Sequence, residues 1–75
     1  MNSEITLPKF NYDRLSYDVV YCHFYGRKFT LLDLNTLRAI IDFHKENYPG
    51  ESEERDKLES WWGTLQKGFA MRGEL

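Results

Sequence analysis

The residues whose types point most directly to acid–base or metal chemistry are Cys22, His23 and His44. An imidazole titrates near neutral pH, and both a thiolate and an imidazole ligate zinc. Histidine-based catalysis also needs a nucleophile or a carboxylate partner, and none of the familiar catalytic motifs occurs in the sequence. We therefore predict that both histidines are structural and that the chain has no catalytic residues.

Cys22 and His23 are neighbours in sequence, which raises the question of a metal site. Adjacent residues of a strand point to opposite faces, so these two side chains would not share one ion unless the strand is bulged. His44 would add only one further ligand. We predict no metal and no cofactor, and we expect Cys22 to be a small core residue.

An aromatic stripe is the most informative pattern in the chain. Tyr17, Tyr21 and Tyr25 recur at every fourth position, with His23 among them. Such rings stack the bases of single-stranded nucleic acids, or they anchor a protein partner. A third alternative is that residues 1–16 fold back and cover them. We interpret the stripe as a partner-binding surface that consists of Tyr17, Tyr21, His23, Tyr25 and Lys28.

The elements that would position this stripe begin with a β-hairpin. Residues 17–25 are rich in aromatic and β-branched side chains, which predicts a strand. Gly26 and Arg27 suit a two-residue type II′ turn, because glycine takes a positive φ without steric cost. Residues 28–32 would then form the second strand, and residues 1–16 offer a possible third strand at the edge. The hairpin face predicted to enter the core is Val20, Cys22, Phe24, Phe29 and Leu31.

Two helices are predicted to follow the hairpin. The first begins near Leu34 with Asp33 as its N-cap, although Thr30 competes for that role, and it ends near Pro49 and Gly50. Its apolar residues cover about half of its circumference, which is broader than the stripe of an ordinary surface helix. The second helix has Ser52 as its N-cap, ends near Gly73, and carries one apolar stripe of Leu58, Trp62, Leu65 and Phe69.

Composition limits the classes of function. The chain has 75 residues, ten basic against twelve acidic side chains, and a net charge of −2, so it lacks the basic excess typical of nucleic-acid and membrane-surface binding. A single cysteine favours a reducing, cytoplasmic compartment, and the first residues do not resemble a signal peptide. The acidic run that starts at Glu51 is interpreted as a solvated helix start, with an acidic docking patch as the alternative.

The sequence as a whole predicts one α+β domain over residues 1–75, in which two helices pack on one face of the hairpin. We predict a small non-enzymatic protein-binding module, a regulator or inhibitor of a larger macromolecule. A single-stranded nucleic-acid binder is the alternative, and a subunit of an oligomeric enzyme is the third. The surplus apolar surface also predicts a homodimer through Ile40, Phe43 and Trp61, because two-fold pairing is a common way to bury such a surface.

Overall fold

The computed structural model describes residues 7–75, and it is helical. A short 3₁₀ turn spans Tyr12–Arg14, and three helices follow: α1 (Tyr17–Phe24), α2 (Leu31–Asn47) and α3 (Glu53–Met71). Helices α2 and α3 form an antiparallel pair, and α1 packs mainly on α3. None of the described helices is long and apolar enough to cross a membrane.

The predicted α+β fold with a hairpin is wrong. Residues 17–24 are helical, and no strand occurs between residues 7 and 75. The predicted edge strand is also absent from residues 7–16, and the part of that prediction that falls on residues 1–6 lies outside the described residues, as does the signal-peptide prediction. Helices α1 and α3 thus meet where a sheet was expected.

The composition of α1 fits both types of structure. Tyr17, Val20, Tyr21 and Phe24 follow the i, i+3, i+4, i+7 spacing of a helix face, and strand propensity yields readily to such packing. Val20 and Phe24 are almost fully buried. Gly26 does take a positive φ of 85°, but it ends a helix instead of turning a hairpin. Because a glycine with a positive φ can either turn a hairpin or end a helix, Gly26 alone does not distinguish the two structures.

Thr30 is the N-cap of α2, so Asp33 does not hold the capping position that we preferred. The Thr30 hydroxyl accepts a hydrogen bond from the Asp33 N–H at 3.2 Å, and the Asp33 carboxylate accepts one from the Thr30 N–H at 3.0 Å. This reciprocal capping box satisfies two backbone donors and starts the helix three residues earlier than expected. Arg27 also pairs with Asp33, with 3.1 Å between guanidinium and carboxylate.

The connection between α2 and α3 is held by a buried arginine. Ser52 caps α3 as predicted, with its hydroxyl accepting from the Arg55 N–H at 3.1 Å. The Arg55 guanidinium donates to the carbonyl oxygens of Tyr48 and Gly50, and it lies 3.2 Å from Nδ1 of His44. Arg55 therefore satisfies carbonyls that the end of α2 leaves without helical partners.

The core lies where the three helices meet. Its centre is formed by residues with no measurable exposure, namely Val20, Leu37, Ile40, Ile41 and Leu58. Cys22 is exposed, so the prediction that it is a core residue is wrong. The reason is the helix, which turns Cys22 away from the strip that contains Val20 and Phe24.

Residues 7–16 pack along one flank of α1. The Phe10 ring meets the His23 ring at 5.4 Å, and the Tyr12 ring meets the Phe43 ring of α2 at 4.9 Å. The Tyr12 hydroxyl donates to the Pro8 carbonyl, and burial raises the pKa of that hydroxyl. This segment therefore covers the His23 flank of α1, not the flank that carries Tyr21 and Tyr25.

Candidate functional site

The three tyrosines of α1 form one row. Neighbouring ring centroids in the row are 5.8 Å apart, both from Tyr17 to Tyr21 and from Tyr21 to Tyr25. Trp61 of α3 joins the row at 5.2 Å from Tyr21 and 5.9 Å from Tyr17. Tyr21 is 37% exposed and Tyr25 is 73% exposed. We call these four residues the aromatic face.

An open groove of about 220 Å³ runs beside the aromatic face. Its walls come from α1, from the loop between α1 and α2, and from α3, and its lining is mainly apolar: Tyr21, Phe24, Tyr25, Phe29, Trp61 and Leu65. Three further hollows share lining residues with it, and together the four form a row along α3 from Lys57 to Arg72, which we call the groove. By length and lining, this groove can accept an apolar segment of another molecule.

Two elements hold the groove in shape. Phe29 in the α1–α2 loop packs on Phe24 at 5.4 Å and on Trp61 at 6.0 Å, which ties the loop to both helices. At the start of α1, the Tyr17 N–H donates to the Glu54 carboxylate of α3 at 2.6 Å. Ser16 makes no side-chain cap there, so Glu54 satisfies a donor that the helix start would otherwise leave open.

The predicted partner-binding residues divide into two groups. Tyr17, Tyr21 and Tyr25 lie together on the aromatic face. His23 lies on the other flank of α1 against Phe10, so it does not share their surface. Lys28 lies in the loop and lines the far end of the groove, where the hollow has a volume of about 630 Å³.

The predicted self-association residues are also separated. Ile40 is fully buried in the core and has no surface to offer. Phe43 packs against Tyr12 on the N-terminal flank. Trp61 belongs to the aromatic face, at the centre of the groove. The broad apolar arc of α2 that motivated the prediction is covered within the chain, since Leu34, Leu37 and Ile41 are buried too.

Charge is distributed unevenly around the groove. Four of the chain's ten basic residues line it, whereas one of its twelve acidic residues does. The rest of the chain therefore carries the excess of negative charge. The four cations are Arg27, Lys28, Lys57 and Arg72, and the acid is Glu74.

The four cations are not equivalent. Arg27 lies over the Phe24 ring and pairs with Asp33. Arg72 lies over the Phe69 ring and pairs with Glu74 at 3.1 Å. Lys28 and Lys57 form no ion pair within the described part of the chain. Among residues 7–75, the two lysines therefore leave one positive charge without an ion-pair partner at each end of the groove.

The histidines and the cysteine lie apart from one another. No group of three His, Cys, Asp or Glu side chains with metal-binding geometry occurs among residues 7–75. His44 is buried between Arg55 and the stacked Tyr48 ring. Burial lowers the pKa of His44 below its ordinary value, and the Arg55 charge lowers it further. Because a guanidinium only donates, Nδ1 of His44 is the acceptor of the Arg55 N–H.

Sequence reasoning missed the role of Phe29 and placed Trp61 in a different surface. The available signal was the density of rings in and after residues 17–25, which exceeds what one short helix can bury by itself. Spacing alone does not reveal which ring of α3 meets the tyrosines, because that depends on the angle between α1 and α3.

No protein-family model matches this chain, and no curated protein or solved structure shows significant similarity to it.

Proposed function

We propose that this protein is a small protein-binding module that holds a polypeptide segment in the groove along α3. The observation that carries the proposal is the aromatic face, where Tyr21 and Tyr25 remain exposed beside an apolar groove. Tyrosine and tryptophan rings are the residues that most often anchor protein interfaces. The N-terminal segment gives further support, because residues 7–16 pack on the opposite flank of α1 and leave this face open.

A single-stranded nucleic acid is the second candidate, and the four cations that line the groove favour it. Base binding, however, needs exposed ring faces on which bases stack. The rings of Tyr17 and Tyr21 lie against each other and against Trp61, so among the three tyrosines Tyr25, which is 73% exposed, offers the most open ring face. Two of the four cations are also paired with carboxylates. These contacts favour a polypeptide over a nucleic acid.

The proposed role is that of a regulator or inhibitor that acts by occupying a surface of a larger protein. We place it in the cytoplasm, which the exposed free thiol of Cys22 supports, because exposed thiols persist in reducing compartments. A homodimer through the same groove is the competing occupant. Trp61 supports it because its partly exposed ring lines the groove, whereas Ile40 does not, because it is fully buried.

A comparison of variants tests the proposal. Affinity capture from an extract of the native host, treated with nuclease, is done with the wild type and with the Tyr21→Ser/Tyr25→Ser variant. Tyr48→Ser is the matched control, since Tyr48 is 42% exposed and lies outside the groove. We expect a protein that the wild type and the control both retain and that the double variant loses. The proposal is wrong if all three retain the same proteins.

A further inference from the structure

We propose that the partner segment is an acidic amphipathic helix, with carboxylates toward its two ends and apolar side chains between them. This inference rests on the proposed function and specifies the chemistry of the segment that the groove takes. Three observations support it: the order of charged and apolar groups along the groove, the pairing of the cations, and the lack of a strand edge.

The groove has cationic side chains at its two ends and mainly apolar side chains in its middle. Lys57 lies at one end beside Tyr17 and Trp61. The middle is lined mainly by rings and by Leu65. Lys28 and Arg72 lie at the other end. A complementary segment therefore needs negative charge at both ends and apolar anchors in the middle, because complementary potentials set which partners are accepted.

The ion pairs within the chain indicate which of the four groove cations are available to a partner. Arg27 and Arg72 already have carboxylate partners and lie over aromatic rings. Lys28 and Lys57 have neither among the described residues, so each can pair with an incoming carboxylate without breaking an existing bridge. The chain carries a net charge of −2, so the positive groove is a local feature and not the result of overall composition.

The geometry favours a helical segment. Peptides often dock by adding a strand to a sheet edge, but residues 7–75 contain no strand that could offer one. Of the other common modes, a helix that lies in a groove with anchors at i, i+3 or i+4, and i+7 suits a row of apolar hollows that follows one helix. From Lys57 to Arg72, α3 rises about 22 Å, which a helix of about fifteen residues matches.

A displayed library of random peptides about fifteen residues long provides the first test. Peptides are selected on the wild type and counter-selected on the Tyr21→Ser/Tyr25→Ser variant. We expect the retained peptides to be enriched in Asp and Glu near their ends and in Leu, Phe or Trp between them. Retained peptides that are neutral or basic would overturn the acidic partner but leave the protein-binding function intact. If no peptide distinguishes the two proteins, both proposals fail.

Charge reversal provides the second test, with the selected peptides as probes. We expect the Lys28→Glu/Lys57→Glu variant to bind them about tenfold more weakly, because two attractive contacts become repulsive. Lys45→Glu/Lys67→Glu is the matched control, because it reverses the same number of charges at exposed lysines of α2 and α3 that do not line the groove. We expect it to retain the wild-type affinity within about twofold. Equal losses in both variants would show a general charge effect and overturn the inference.

Binding of the two competing occupants, a single-stranded nucleic acid and a second copy of the chain, is measured directly. A fluorescent oligouridylate about fifteen nucleotides long is titrated into the wild type, and sedimentation velocity is recorded for the wild type and Tyr25→Ser at micromolar concentration. We expect no saturable oligonucleotide binding and a nine-kilodalton species in both proteins. Oligonucleotide binding that Tyr25→Ser abolishes would assign the groove to nucleic acid instead. A dimer that Tyr25→Ser dissociates would assign it to a second copy.

Discussion

The two flanks of α1 use aromatic residues in different ways. On the N-terminal flank, Phe10 of the segment 7–16 packs against His23 of α1, and this segment closes over the helix. On the other flank, Tyr21 and Tyr25 are joined by Trp61 but not covered by residues 7–16. Similar numbers of rings therefore serve stability on one side and remain accessible on the other. The difference shows that ring density alone does not identify an accessible surface, because packing in the folded chain decides which rings stay exposed.

The tryptophans of α3 should sharpen this comparison most. Trp62 packs toward α2, where its indole N–H donates to the Leu34 carbonyl at 3.0 Å and Arg38 lies over its ring. We expect Trp62→Ala to lower the free energy of unfolding by about 3 kcal/mol. Trp61→Ala should cost about 2 kcal/mol, because its ring borders the open groove. Urea denaturation followed by circular dichroism measures both, and the reverse order would contradict the assignment of Trp61 to the accessible flank.

A pair of ring deletions compares the flanks directly. Phe10→Ala removes a half-buried ring that helps close the N-terminal flank, so we expect a loss of about 1–2 kcal/mol. Tyr25→Ser removes a ring that is 73% exposed, and we expect a change below about 0.5 kcal/mol. Thermal unfolding of both variants gives the comparison. A large loss from Tyr25→Ser would mean that this flank is structural.

Glu54 offers a finer test, since it anchors the start of α1. Glu54→Ala removes the acceptor of the Tyr17 N–H and should cost about 1 kcal/mol. Glu53→Ala is the control, because it lies in the same first turn of α3 and loses the same charge. Chemical denaturation should show the cost of Glu54→Ala exceeding that of Glu53→Ala. Equal costs would mean that only the helix dipole of α3 is affected.

The smallest expected effect concerns His44, at the contact between α2 and α3 that supports both flanks of α1. The pKa of His44 is lowered in the folded protein, so the unfolded chain binds more protons as the pH falls below about 6.5. Stability should therefore decrease as the pH falls through this window. His44→Gln should flatten the slope of the free energy of unfolding against pH there. An unchanged slope would show that another group causes the loss.

The sequence was a good guide to α2 and α3 and a poor guide to α1. The stop at Pro49, the cap at Ser52 and the stripe containing Leu58 are local signals, and each agrees with the structure. Whether the residues of α1 form a helix or a strand depends on tertiary packing, because they satisfy both patterns. The sequence also offers Thr30 as the cap, but a strand over residues 28–32 would exclude it, and that strand does not exist.

Residue spacing explains why one part of the site was anticipated. Tyr17, Tyr21 and Tyr25 are four residues apart, and a spacing of four keeps side chains on one face in a strand and in a helix alike. His23 is two residues from its neighbours, which places it beside them in a strand and on the far side in a helix. The wrong element therefore left the tyrosine row intact and misplaced His23.

Helix α1 has eight residues, and its start depends on a carboxylate from another helix. Helices of this length are marginal in isolation, so α1 persists because it is docked on α3. Local opening of α1 alone would remove a whole wall of the groove while leaving the α2–α3 pair standing. A bound segment would suppress that opening, so amide hydrogen exchange in residues 17–24 should slow on binding more than exchange in α2. Slower amide exchange in α1 would then show that the groove is occupied.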